Sequence, residues 1–259
     1  MTFLESRCDG AVGTIIMNND AKRNVICAGF IESLLHILED FRLRQLRVVI
    51  LRANPGTKVW SAGHDVSELP PLGHDPLHWA ETLPRLVRAI QLHPVPVFAM
   101  VEGSVWGGAC EMAMACDMVV AARSSTFAIT PAKLGLPYNV NGLSTFTRVI
   151  SPHILREMLF TAQPLTAERL AAAGAINYAV DTDRLEGFCY ELAAHICENS
   201  PRSIAAMKES LRVLIGAREL SAAEFERLEE LRQAVYNSAD YAEGLDAIKH
   251  KRKPVFVAD

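Results

Sequence analysis

Glu102-Gly103-Ser104-Val105-Trp106-Gly107-Gly108-Ala109-Cys110-Glu111 (EGSVWGGACE, residues 102–111) directly follows the apolar run 95–101, VPVFAMV. A short continuous apolar run reads as a strand covered on both faces. The paired glycines break it, and the small and apolar residues 109–115 (ACEMAMA) begin a helix. Working outward, the same grammar repeats. Residues 46–51 (LRVVIL) and 118–122 (MVVAA) are further buried strands, and residues 11–17 (AVGTIIM) are a strand closed by the turn residues Asn18, Asn19 and Asp20. Residues 26–41 place Ile31, Leu34, Leu35 and Leu38 at helical spacing. Strands alternating with helices predict an α/β fold on a mainly parallel sheet.

Beyond about residue 185 the pattern changes. Residues 185–197, 203–215, 222–236 and 241–250 read as helices with no strand between them, and Ser200-Pro201 supplies a cap and a first helical residue. The expected organisation is an α/β core over 1–190 and a helical region over 191–259.

Composition narrows the function. Twenty-six Lys and Arg stand against 30 Asp and Glu, a net charge of −4, so no broad basic face is expected and nucleic acid is excluded as the main partner. Half of the residues are hydrophobic, which excludes a disordered chain. The apolar stretches are too short or too charged to span a membrane. The first residues carry no apolar targeting segment, so a cytoplasmic protein is expected, with its six cysteines reduced. No two of the 15 glycines are spaced Gly-x-Gly, which excludes the dinucleotide fingerprint. Ser104 stands one place too early for a nucleophile elbow. His74 and His78 are four apart without a third ligand, so no metal site is expected.

Two segments carry a chemical signal. Gly107-Gly108 before a helix presents backbone N–H groups at its positive end, which suits an oxyanion. Residues 59–65 (VWSAGHD) form a second glycine-centred turn after the buried strand 46–51.

These segments resemble a known family. Ser61-Ala62-Gly63-His64-Asp65 is similar to the S/A-A-G-x-D element of the crotonase (enoyl-CoA hydratase/isomerase) superfamily, and residues 103–117 (GSVWGGACEMAMACD) resemble its G-x-x-x-G-G-G-x-E-L-x-x-x-C-D. Lys22-Arg23-Asn24 resembles its K-R-N-A, and residues 250–256 (HKRKPVF) its K-R-x-P-x-F ending. The resemblance implies a spiral of ββα units with a C-terminal helical trimerisation region, a homotrimer or dimer of trimers, and an acyl-CoA thioester as ligand. CoA belongs to the substrate, so no separate cofactor is expected. Carried over, the backbone N–H groups of His64 and Gly108 hold the thioester oxygen. Lys22 and Arg23 would contact the CoA phosphates, Ala62 and Asp65 its adenine region, and Lys253, with Lys249, Lys251 and Arg252, would complete an anion patch.

The departures from the family pattern sharpen the reaction. Hydratases of the family use two carboxylates. Glu111 matches the first, but residues 127–139 (FAITPAKLGLPYN) carry Pro131 where the second belongs, and proline moves no proton. Losing that carboxylate favours decarboxylation of a malonyl-type thioester, because two unit charges 4 Å apart cost about 4 kcal/mol at an effective dielectric of about 20. Tyr138, where the family commonly has proline, would hold the departing carboxylate or deliver a proton to the enolate carbon. Glu111 would sit behind it as a hydrogen-bonding residue. Trp106 is expected as pocket wall. Enoyl-CoA hydration or isomerisation with Glu111 as sole acid/base, and a silent acyl-CoA-binding protein, are the alternatives.

Overall fold

The computed structural model describes residues 3–68, 82–216 and 221–256; His74 and His78 lie outside them. The chain opens with an antiparallel hairpin, β1 (Leu4–Asp9) and β2 (Val12–Met17), followed by α1 (Ala28–Leu43). Three successive units then pair a strand of one sheet with a short strand of another. These are β3 (Val48–Ala53) with β4 (Val59–Ser61) before α2 (Thr82–Leu92), and β5 (Val97–Val101) with β6 (Ser104–Trp106) before α3 (Gly108–Met114). The third is β7 (Met118–Ala122) with β8 (Thr126–Ala128), a 3-10 turn at Pro131–Leu134 and α4 (Val140–Thr147). There follow α5 (Pro152–Thr161), β9 (Leu165–Thr166), α6 (Ala167–Ala172), β10 (Tyr178–Val180) and four helices, α7 (Thr182–Glu198), α8 (Pro201–Gly216), α9 (Ala222–Tyr236) and α10 (Ala239–Lys249).

The larger sheet runs β1-β2-β3-β5-β7-β10, and is parallel from β2 onward. The smaller runs β4-β6-β8-β9, with β9 antiparallel to β8. Each unit steps one strand along both sheets, which is the expected spiral of ββα units.

Strand β3 shows why its sequence reads as continuously apolar. All six residues are buried, alternating between two layers. Val49, Leu51 and Ala53 join the main core under α1 and α2. Val48 and Ile50 join Phe98, Met100, Val120 and Ala122 against Leu185, Cys189 and Ala193 of α7. The sequence boundary at 51 falls short because Arg52 is charged. Its side chain is nevertheless buried, with Nη1 2.9 Å from Glu186 Oε2 of α7.

The expected division at 190/191 falls inside α7. Cys189 and Ala193, on either side of it, pack on the same sheet face, so the core extends through this helix. After α7 only helices follow among the described residues, and Ser200 Oγ accepts from Ser203 N at 3.4 Å at the start of α8, as its cap should. Lys208 ties α8 to the core through Asp117 Oδ2 (2.6 Å) and the Val95 carbonyl (3.1 Å). No described helix is long and apolar enough to cross a membrane. All six cysteines are unpaired.

Candidate active site

The site forms where the ends of β4 and β6 bring two turns together. The first turn is held by Asn24, buried and left-handed (φ 49°). Asn24 Nδ2 donates to the Trp60 carbonyl at 3.1 Å, and Ser61 Oγ donates to the Asn24 carbonyl at 2.7 Å. Backbone bonds continue the seam: Ala62 N to Arg23 O (2.9 Å), Ile26 N to Gly63 O (2.8 Å) and Asp65 N to Ile26 O (2.9 Å). Residues 22–26 and 61–65 are therefore one stitched unit, so the structure does bring Lys22, Arg23, Ala62, His64 and Asp65 together. The sequence reading quoted Asn24, the residue that does the stitching, only as part of the Lys22-Arg23-Asn24 motif and gave it no role, although Asn is among the few side chains that tolerate a left-handed turn.

Gly63 (φ 84°) is required on two counts. Its dihedral is one that L side chains rarely adopt, and a Cβ there would run into the Trp106 carbonyl oxygen and stand 3.1 Å from Gly108 N. That closeness places the His64 and Gly108 amides side by side: a Cβ on Gly108 would lie 3.6 Å from His64 N. Gly108 opens α3, so its N–H has no partner within the helix by position. Gly107 before it is fixed by its own amide, which donates to Ala128 O at 2.8 Å.

One turn along α3 stands Glu111, only 2% exposed. Burial pushes its carboxyl up to about 7, against a hydrogen bond with Tyr138 that pulls it down. The Tyr138 hydroxyl donates to the Gly107 carbonyl at 3.3 Å. Burial first, then the adjoining Glu111, raises this phenol well above its ordinary value, so it serves as a neutral donor. Three features aim the ring. Phe146 meets it edge-on at 5.2 Å, Gly142 lies flat under it (a Cβ there would be 2.5 Å from Cδ1), and Asn139 caps α4 by accepting from Gly142 N at 2.6 Å. Sequence reasoning picked out Tyr138 but not Asn139, Gly142 or Phe146. The Asn three residues before Gly142 was the available signal.

Pro131 heads the 3-10 turn Pro131–Leu134, and the neighbouring Thr130 hydroxyl would lie 3.4 Å from a Cβ on Gly107. Thr130 and Tyr138 thus both bring hydroxyls to Gly107. Trp106 has its Nε1 committed to Ser104 Oγ at 2.8 Å.

The peripheral residues divide. Lys22 is near enough to Asp65 for its charge to favour the carboxylate. Asp65 accepts from Ser67 Oγ (2.7 Å) and Ser67 N (3.0 Å), bonds that hold it below the usual carboxylate range and shape the turn Val66–Glu68. Arg252 is withdrawn from the expected anion patch: Glu243 and Asp246 both bind its guanidinium, which pins the segment after α10. Lys253 beside it is exposed. No group of three or more metal-ligating side chains occurs among the described residues.

Comparison with known proteins identifies the family. The enoyl-CoA hydratase/isomerase family model matches residues 7–259. The chain belongs to that family. Within it, the chain is 47% identical over 246 residues to methylmalonyl-CoA decarboxylase of Escherichia coli (strain K12), covering 95% of this chain and 94% of the relative. Two solved structures of methylmalonyl-CoA decarboxylase, one with 2-nitronate-propionyl-CoA and one with 2S-carboxypropyl-CoA, superpose on it with a TM-score of 0.97. Each is 45% identical and covers 100% of this chain and 99% of its own. Enoyl-CoA hydratase domain-containing protein 3 of Danio rerio is more distant, at 32% identity over 95% of this chain and 85% of its own. The α/β crotonase fold is shared with these solved structures.

Proposed function

We propose that this chain decarboxylates methylmalonyl-CoA to propionyl-CoA through a thioester enolate. The observation that carries the reading is the composition of the site. Paired amides of His64 and Gly108 are set for an oxyanion, Tyr138 is a neutral donor, and Pro131 occupies the position of a second carboxylate. The identity to a methylmalonyl-CoA decarboxylase and the likeness to that enzyme's complexes with CoA ligands support it.

The chemistry follows from these parts. The His64 and Gly108 amides bind the thioester oxygen, and their donors gain most when that oxygen becomes an enolate. Tyr138 holds the carboxylate out of the thioester plane, so that the breaking C–C bond overlaps the carbonyl π system. The bond electrons move onto the thioester oxygen, carbon dioxide leaves, and a proton ultimately drawn from water returns to the carbon. The substrate supplies the CoA, and the reaction as drawn needs no further cofactor. Lys22, Arg23, Ala62 and Asp65 are placed to meet the CoA nucleotide. The apolar, exposed Met207, Leu211 and Leu214 of α8 suit a subunit contact, and a homotrimer or dimer of trimers is what the family resemblance implies. A cytoplasmic location suits a pool of CoA thioesters.

Purified protein incubated with methylmalonyl-CoA should release propionyl-CoA, read by mass spectrometry; an unchanged thioester pool overturns the reading. Tyr138→Phe should lower kcat/KM by about 10- to 100-fold, the cost of an unmet carboxylate hydrogen bond at about 1.5–3 kcal/mol. Glu111, raised to about 7, is also poised for acid/base work and favours hydration as the second reading. Crotonyl-CoA turnover that disappears in Glu111→Gln would install it.

A further inference from the structure

Tyr138 has one hydroxyl hydrogen and three groups that want it. In the structure its Oη faces the Gly107 carbonyl at 3.3 Å and the Glu111 carboxyl. A bound substrate would add its own carboxylate. A carbonyl and an ionised carboxylate only accept, and a phenol donates once but accepts through its lone pairs. With Glu111 ionised, a single hydrogen is shared among three acceptors, and two negative carboxylates converge on one buried oxygen. One arrangement meets every acceptor, because the Gly107 carbonyl keeps the Cys110 N–H at 3.0 Å. Glu111 carries its own hydrogen and donates it to Tyr138 Oη, which frees the tyrosine's hydrogen for the substrate.

We propose that Glu111 is a positioning residue that must be a neutral carboxylic acid when substrate binds, donating to Tyr138 so that Tyr138 can donate to the substrate carboxylate. This rests on the decarboxylase reading. It gives Glu111 a role distinct from proton transfer to carbon.

The surroundings agree. Glu111 is packed within α3, all of whose residues are buried. Among the described residues, the titratable and charged groups facing this pair are the Cys110 thiol on α3, and Arg88 of α2 and Arg148 at the end of α4, which line the same cavity of about 150 Å³ as Glu111. Burial outweighs the Tyr138 hydrogen bond, which favours the ionised form, and leaves the carboxyl up at about 7. The neutral form is therefore available near neutrality and becomes scarce above it. A group that must be protonated to bind couples ligand affinity to pH, with one proton taken up per ligand above its own pKa.

The experiment has two arms. KM for methylmalonyl-CoA, measured from pH 6 to 9, should rise about tenfold per pH unit above about 7 in the wild type. In Glu111→Gln, whose amide always donates, KM should not change with pH. In Glu111→Met, which has no donor, KM should already be raised at pH 6. The second arm uses the wild type alone. Calorimetry at pH 8, in buffers of different ionisation heat, should show close to one proton more taken up on binding a carboxylate-bearing CoA thioether than on binding propionyl-CoA, the difference cancelling titration of the CoA phosphates. A flat wild-type KM, a glutamine variant that keeps the wild-type slope, glutamine and methionine variants with equal KM at pH 6, or equal proton uptake for the two ligands would each overturn the assignment. Absence of propionyl-CoA at every pH would instead sink the decarboxylase reading.

Discussion

Gly108→Pro should lower kcat/KM for methylmalonyl-CoA by about 10²–10³, the usual cost of removing one oxyanion donor, about 2.7–4 kcal/mol. The substitution is unusually clean here. Gly108 is the first residue of α3, where proline's fixed φ fits and its missing N–H breaks no helical hydrogen bond. The chief steric consequence is a Cβ 2.9 Å from Leu83 Cδ2, the mobile end of a side chain. Gly108→Ala carries the same Cβ and keeps the N–H. The ratio of the two variants therefore separates the crowding at Cβ from the loss of the N–H and its replacement by a ring methylene. Proline should lose at least tenfold more activity than alanine while the two melt within a few degrees of each other. Equal activities would mean that the Gly108 amide does not touch the reacting oxygen.

How much of this was legible beforehand depended on how far each residue's role was local. Residues 118–122 form β7 with the bounds the apolar run suggested, because burial on both faces leaves a continuous signature. β1 left none: of Leu4–Asp9 only Leu4 is buried, and an edge strand paired on one side needs no apolar alternation. β4, β6 and β8 have three residues each, too few to show a period, and two of them lie in segments that read as turns. The second sheet was thus implied by family resemblance and not by pattern. At the site, the two glycine-centred turns were visible as turns. That Gly63 stands against the Trp106 carbonyl, and so brings two amides together across 44 residues of chain, is a long-range fact. The basic C-terminal run shows the opposite failure. Its charge suggested an anion patch, but Glu243 and Asp246, nine and six residues before Arg252, consume that guanidinium and turn it into an anchor.

That anchor matters because α10 supports the loop that carries Tyr138, and Gly244→Ala tests the support. Gly244 is a helical glycine packed against backbone: a Cβ there would overlap the Leu134 carbonyl oxygen and lie 2.6 Å from its carbon. Gly135 (φ 66°) returns the contact, since a Cβ on it would be 2.6 Å from the Asp240 carbonyl oxygen. Below them Leu136, Tyr236 and Tyr241 form their own apolar cluster, the two tyrosines edge-on at 5.4 Å. Tyr138 follows Leu136 by two residues, so pushing α10 off the turn moves the proposed carboxylate donor. In an ordinary helix Gly→Ala stabilises by up to about 1 kcal/mol. Here overpacking against a backbone that cannot give should cost at least 1–3 kcal/mol, read as a lower urea midpoint with unchanged slope. A donor misplaced by about 1 Å can lose about 10²-fold in rate, so kcat should fall at least tenfold in the fraction that remains folded. Gly187→Ala on α7 is the matched control, with nothing within 4 Å of the added carbon, and should leave both quantities at or above their wild-type values. If Gly244→Ala behaves like Gly187→Ala, the C-terminal helices merely cover the core. If it loses kcat and stability together, the helical region of each chain is part of what aims its own active-site tyrosine.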